Sequence, residues 1–221
     1  MLVLGLDPSL TSYGYSLHNT QASAGADRCV LKGQLSTPAS QLFLDRYITF
    51  REFLRSLIQE HKPDKIGIES PIFGEIFSPG AWGLFLYSNE AFKEEKMDVV
   101  YFSPPQIKMH ARESLKRPDG WKMMKGDMVS AAKEDTGIKT KWSHDAADAF
   151  LCARLAGRFW EYLSGSILIT DLTPTERKLF TEVHTFSKGK NAGQTEKTGI
   201  IFRENERFYR WSQTVESGPK K

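Results

Sequence analysis

The 221-residue sequence predicts a mixed α/β layered domain followed by a smaller C-terminal piece. Three observations carry that prediction. Three closely spaced extended runs open the chain. Short apolar runs then alternate with helix-length amphipathic segments. After the last long apolar helix, the composition changes to one rich in Gly and Lys.

Each element has its own local justification. Val3, Leu4 and Leu6 read as a buried strand that stops at Asp7-Pro8, and Tyr13, Tyr15 and Leu17 alternate as a second. RCVLKGQLS (Arg28–Ser36) is the third, after the Gly/Ala/Ser-rich turn TQASAGAD, so the chain should open as an antiparallel meander. In SQLFLDRYITFREFLRSLIQEH, residues Leu44, Tyr47, Ile48, Leu54, Leu57 and Ile58 recur at helical spacing, and Pro63 follows the end. DKIGIE is a short buried strand ending at Glu69 and closed by Pro71. SPGAWGLFLYSNEAFKEEK is a helix entered at Pro79, and MDVVYFSP is a fifth strand. PPQIKMHARESL and KGDMVSAAKEDTG are helices flanking the basic loop KRPDGWKMMK, with Gly137 capping the second. SHDAADAFLCARLAGRFWEYL is the strongest helix, with Gly165 beyond its end.

The layered domain is expected to span residues 1–163 and the extension residues 164–221. In the extension, LTPTERKLF carries a capping box of Thr173 and Glu176 with Pro174 in the first turn. FSKGKNAGQTEKTG should be flexible, and IIFRENERFYRWS alternates about ENE like a β-hairpin. Its Arg203, Arg207 and Arg210, interleaved with Phe202, Phe208, Tyr209 and Trp211 and preceded by Lys188, Lys190 and Lys197, either stack on unpaired nucleic-acid strands or dock the hairpin on a core or second subunit.

Composition narrows the function classes. Apolar residues make up 40% and charged residues 26%, and the net charge of +3 provides no global basic field, so nucleic-acid binding has to come from local clusters. Cys29 and Cys152 lie far apart among apolar neighbours, as small buried hydrophobes in a reducing compartment. No basic segment followed by an apolar run opens the chain, and no apolar stretch approaches the ~20 residues of a membrane span. The expectation is a cytoplasmic protein, of a bacterium or a virus-infected host, with no membrane partner.

The chemistry lies in four carboxylates. Asp7 and Glu69 end strands, and Asp145 and Asp148 share one face at the start of a helix. Singly, each has an ordinary reading: Asp-Pro as a turn, Glu69 as an exposed strand end, Ser143-His144-Asp145 as a capped helix start. Gathered in one cleft, they would repel and hold protons unless a hard cation bound them. Two Mg²⁺ ions, or Mn²⁺ in their place, about 4 Å apart suit hydrolysis of a phosphodiester. Lys108, Arg112, Lys116, Arg117, Lys122 and Lys125 cluster nearby in sequence, around His110 and Trp121, offset locally by Glu113 and Asp119. That run is either a solvated surface or a seat for backbone phosphates. His144 is either an incidental helix-start residue or an aid to water activation.

LGLDPSLTSYGY, IGIES, YFSPPQIK and HDAADAF, in this order and spacing, resemble the RuvC family of Holliday junction resolvases over roughly Met1 to Leu163. The resemblance implies a ribonuclease H-like fold, a mixed five-stranded sheet flanked by helices. It implies a Mg²⁺-dependent endodeoxyribonuclease that cuts four-way DNA junctions as a homodimer, leaving a 5′-phosphate and a 3′-hydroxyl. The family's four acidic positions fall on Asp7, Glu69, Asp145 and Asp148, and its DNA-contacting lysines on Lys108 and Lys125. Ile72 and Phe73 resemble the apolar loop that wedges between bases, and local packing is the alternative reading of Phe73. Two departures stand out: Ser9 replaces a glycine after Asp-Pro, and GEIFSPGAWG replaces a Lys/Asn-rich helix start in a region that serves dimerisation. Competing readings are a nuclease preferring flaps, forks or RNA-containing branches, a non-cleaving junction-binding module, and an ATP-dependent enzyme of the actin/sugar-kinase type. The chain is too short for both halves of the last.

Overall fold

The computed structural model describes residues 1–23, 25–70, 79–118, 120–185, 195–197 and 200–210. β1 (Leu2–Pro8), β2 (Ser12–Asn19) and β3 (Cys29–Ser36) form the expected antiparallel meander. β4 (Lys65–Glu69) then pairs parallel to β1, and β5 (Val99–Phe102) parallel to β4. Between them run α1 (Phe43–His61) and α2 (Pro79–Glu94). After β5 come α3 (Pro104–Ser114), α4 (Lys125–Thr136), α5 (His144–Leu163) and α6 (Pro174–Thr181). The caps are those the sequence announces: Ser143 accepts from the Ala146 amide, Gly137 closes α4 in the left-handed region, and Thr173 and Glu176 form the box that opens α6.

Period-two alternation splits the sheet into two faces. Leu4, Leu6, Tyr13, Leu17, Ile66, Ile68, Val99 and Tyr101 are buried in the cluster that α1 and α2 cover. Val3, Val100 and Phe102 belong to the opposite cluster, with Ala146, Phe150, Ala153, Leu155 and Phe159 of α5. Asp7 has the parity of Val3, and Glu69 that of Gly67, so both carboxylates fall on the α5 face.

α5 lies almost against the strands. A Cβ built on Gly5 would stand 2.0 Å from the Ala149 carbonyl oxygen and 2.6 Å from the Ala153 Cβ. One on Gly14 would stand 2.2 Å from the Asp145 carbonyl oxygen. Glycine on the strands and alanine on the helix permit this approach, and other side chains would force the layers apart.

Two features depart from the sequence-based expectation. The sheet has seven strands rather than five, in the order β3-β2-β1-β4-β5 followed by the two strands of the C-terminal hairpin. The hairpin of β8 (Ile201–Glu204) and β9 (Arg207–Arg210) pairs antiparallel onto β5. Its turn places Asn205 and Glu206 at φ 49° and 66°, the positive values of a two-residue primed turn. Phe202 is buried against Phe159 and Trp160, and the buried Arg203 donates to the Met97 carbonyl, so these two are docking residues; Phe208 and Tyr209 keep exposed area. Leu172, Leu179 and Phe180 likewise enter the α5-side core. The second departure is in the Gly/Lys-rich stretch expected to be flexible: β7 (Thr195–Lys197) pairs there with β6 (Val183–Thr185). Lys188, Lys190 and Trp211 lie outside the described residues. Among the described residues, no helix is long and apolar enough to cross a membrane.

The packing of α5 predicts a sharp asymmetry between glycines. Gly5→Ala and Gly14→Ala should each lower stability in urea melts by about 3 kcal/mol through overpacking. Gly126→Ala, at an exposed position of α4 with nothing within 4 Å, should raise it by about 0.5–1 kcal/mol. Equal effects at Gly14 and Gly126 would contradict the close approach.

Candidate metal-binding site

The carboxylates reach one place by three routes. β1 and β4 are in parallel register with Leu6 opposite Ile68, so the next residues, Asp7 and Glu69, end neighbouring strands ~4.8 Å apart. Asp145 stands in the first turn of α5 and Asp148 follows one turn on. The close seating of α5 on Gly14 brings that turn over the strand ends. A cleft of about 350 Å³ results, lined by Asp7, Pro8, Ser9, Glu69, Pro104, Lys108, Lys125, Met128, Asp145 and Asp148.

All four carboxylates are partly buried, and their charges oppose one another. Burial raises Asp7 well above the ordinary carboxylate range, and repulsion from Glu69, Asp148 and Asp145 adds to it, against the pull of Lys125. Burial and then Asp148 lift Glu69 to about 7, with Lys108 opposing. Asp148 rises to about 6, chiefly through burial, with Lys108 lowering it and Asp145 raising it. Asp148 Oδ1 is buried with no hydrogen-bond partner. Among the described residues, no three His, Cys, Asp or Glu side chains converge closely enough to hold one ion as they stand. Mutual repulsion opposes that convergence, and a divalent cation reverses it. Hard oxygen donors, an orphaned carboxylate oxygen and carboxyls held above their ordinary range fit a divalent ion of the Mg²⁺ or Mn²⁺ kind.

Ser12 is not among the residues that the sequence singles out, and Ser9 stands out there only as a departure from the glycine of the family it resembles. Ser12 Oγ donates to Asp145 Oδ2. Ser9 Oγ donates to the Ser12 carbonyl at 2.6 Å and accepts from the Ser12 amide at 3.1 Å. Ser9 is absent from the residues with positive φ, so this loop does not need a glycine after Asp-Pro. The available signal was the alternation of β2, which puts Ser12 and Gly14 on the face opposite Tyr13.

The basic cluster divides. Lys108 on α3 and Lys125 at the start of α4 line the cleft. Arg112 is partly buried farther along α3, and Lys116 and Lys122 are exposed beyond its end, so these three do not line it. Arg117 stacks over Trp121, 4.8 Å from the ring centre. His144 is exposed, its Nδ1 lying 3.2 Å from the Lys125 carbonyl. His110 is fully buried, away from any phosphate role. Ile72 and Phe73 lie outside the described residues.

No family model matches the chain. The crossover junction endodeoxyribonuclease RuvC of Gloeobacter violaceus is 31% identical over 163 residues, which are 72% of this chain and 88% of that protein. The enzyme of the same name from Syntrophomonas wolfei is 37% identical over 70 residues, 31% of this chain and 39% of that one. Among solved structures, Thermus thermophilus RuvC superposes with a TM-score of 0.56 at 17% identity, over 69% of this chain and 91% of that one. The same protein in complex with Holliday junction substrate gives 0.55 at 16%, over 69% and 90%. At these identities the structural likeness concerns the fold.

The crowded carboxylates should destabilise the metal-free protein near neutral pH. Glu69 titrates near 7 when folded and near 4.5 when unfolded, so between those values the folded state binds more protons. Stability therefore falls as pH rises through that window. In EDTA, wild type should melt at a higher temperature at pH 5 than at pH 7.5. Glu69→Gln should flatten that difference and raise the melting temperature at pH 7.5 by on the order of 5 °C. A lower melting temperature for Glu69→Gln at pH 7.5 would contradict the repulsion.

Proposed function

This chain belongs to the RuvC family of crossover junction endodeoxyribonucleases, and we propose that it is a divalent-metal-dependent endonuclease that resolves four-way DNA junctions by phosphodiester hydrolysis. The observation that carries this reading is the single cleft lined by Asp7, Glu69, Asp145 and Asp148 with Lys108 and Lys125 among its walls. The four carboxylates would hold two Mg²⁺ ions, with Mn²⁺ as a substitute. Such ions supply Lewis-acid stabilisation of the phosphate and lower the pKa of water.

The protein's own groups perform the rest. Asp7 and Glu69 stand on strands whose pairing fixes their separation, and Asp145 and Asp148 stand on a helix that cannot shift without unseating Gly14. Lys108 and Lys125 draw the DNA backbone toward the carboxylates while offsetting their charge. Symmetric resolution requires two such sites, hence a homodimer. Leu42, Phe43, Leu44 and Ile48 at the start of α1 and Leu86 on α2 are exposed, an apolar surface that supports pairing of two copies. Arg112, Lys116 and Lys122 would extend the phosphate contacts beyond the cleft, and Phe73 would meet the bases at the crossover.

The test is cleavage of an immobile four-way junction beside matched flap, fork and duplex DNA, in Mg²⁺ or EDTA. Paired symmetric cuts are expected on the junction, lost in EDTA. Glu69→Gln and Asp148→Asn should slow them by on the order of 1,000-fold while junction binding survives. Lys108→Ala and Lys125→Ala should each weaken binding to all DNA and reduce the salt dependence by about one phosphate contact. Preferential cutting of flaps or forks would reassign the substrate. Binding without cleavage in either metal would leave only a junction-binding module.

A further inference from the structure

We propose that Ser12 is the positioning residue for Asp145, holding one carboxylate oxygen on β2 so that the acid meets the metal in a fixed orientation. The inference rests on the nuclease reading above. An aspartate in the first turn of a helix has free rotation about two bonds, and in this cleft it is pushed outward by its neighbours' charge. Ser12 Oγ, from an element 133 residues away in sequence, donates to Oδ2 and opposes both freedoms.

Two further contacts make Ser12 a rigid anchor. The Asp145 backbone lies against Gly14, two residues along the same face of β2, so strand and helix start cannot slide past each other. Ser12 is itself held through the Ser9 hydroxyl, which donates to its carbonyl at 2.6 Å and accepts from its amide at 3.1 Å, while the Ser9 amide donates to the same carbonyl at 3.1 Å. Ser9 and Ser12 thus form one clasp closing the loop after Asp7, so a single short segment carries one metal-binding carboxylate and orients another. Partners that orient a ligating carboxylate typically affect metal affinity or activity by about 10–100-fold.

Ser12→Val and Ser12→Thr decide the matter, because they have the same shape and differ in the hydroxyl. Mn²⁺ binding to the full chain without DNA is measured by calorimetry, and junction cleavage at limiting and saturating Mn²⁺. Ser12→Val should bind Mn²⁺ about tenfold more weakly and lose kcat at limiting metal, with unchanged KM for the junction and partial recovery at high Mn²⁺. Ser12→Thr should stay within about twofold of wild type on every measure. Equal Mn²⁺ affinity for all three proteins, alongside intact metal-dependent cleavage, overturns the role of Ser12 alone. Equal loss in both variants assigns Ser12 to packing and overturns it too. A wild-type protein that neither binds Mn²⁺ nor cuts overturns the nuclease reading and this one together.

Discussion

The contact between α5 and the strands at Gly5 and Gly14 is the constraint on which the rest of the molecule depends. A Cβ at either position would stand 2.0–2.2 Å from a helix carbonyl oxygen, so the layers sit at the distance set by backbone against backbone. This seats the helix start over the ends of β1 and β4. An extra methyl group would both strain the core and lift Asp145 and Asp148 away from Asp7 and Glu69. Folding and site assembly are therefore one event.

That event brings together charges that oppose it. Burial and mutual repulsion hold Asp7, Glu69 and Asp148 above their ordinary range, and the nearby lysines only partly compensate. The apolar packing of Phe150, Leu151, Leu155 and Phe159, all fully buried, has to supply the difference. Strain of this kind is characteristic of sites built to bind a ligand tightly, because the ligand relieves it. Here the relief would come from divalent cations, which neutralise the same oxygens that destabilise the protein without them.

At the far side of the sheet, Asp98 ties the C-terminal hairpin to the body. Its carboxylate accepts from Lys65 Nζ at 2.6 Å and from the Asn205 amide at 3.0 Å, joining β4 to the hairpin turn. Lys65 also lies 4.6 Å from the centre of the Trp160 ring, and Trp160 packs on Phe202. The hairpin thus covers the edge of β5, which would otherwise present unpaired backbone groups to other chains.

The sequence by itself determined what depends on near neighbours. The meander, the helices with their caps at Ser143, Gly137 and Thr173, and the hairpin about Asn205 all follow from periodicity and turn chemistry within a few residues. It also placed Asp7 and Glu69 at strand ends and Asp145 and Asp148 on one helical face, because termini and spacing are local properties. Only the tertiary structure decided what joins distant segments. Nothing near Phe202 announces that its strand pairs with β5 and makes the sheet seven-stranded, since an edge accepts any strand of suitable twist and burial. Nothing near Ser12 announces a partner 133 residues away, since a small polar residue beginning a strand fits a turn equally well. The family resemblance marks Lys108 and Lys125, the two lysines that line the cleft, but the basic run by itself does not, since it has no direction until α3 and the start of α4 are packed. Local patterns set which groups a segment offers, and the long-range fit of α5 against Gly5 and Gly14 set which of them meet.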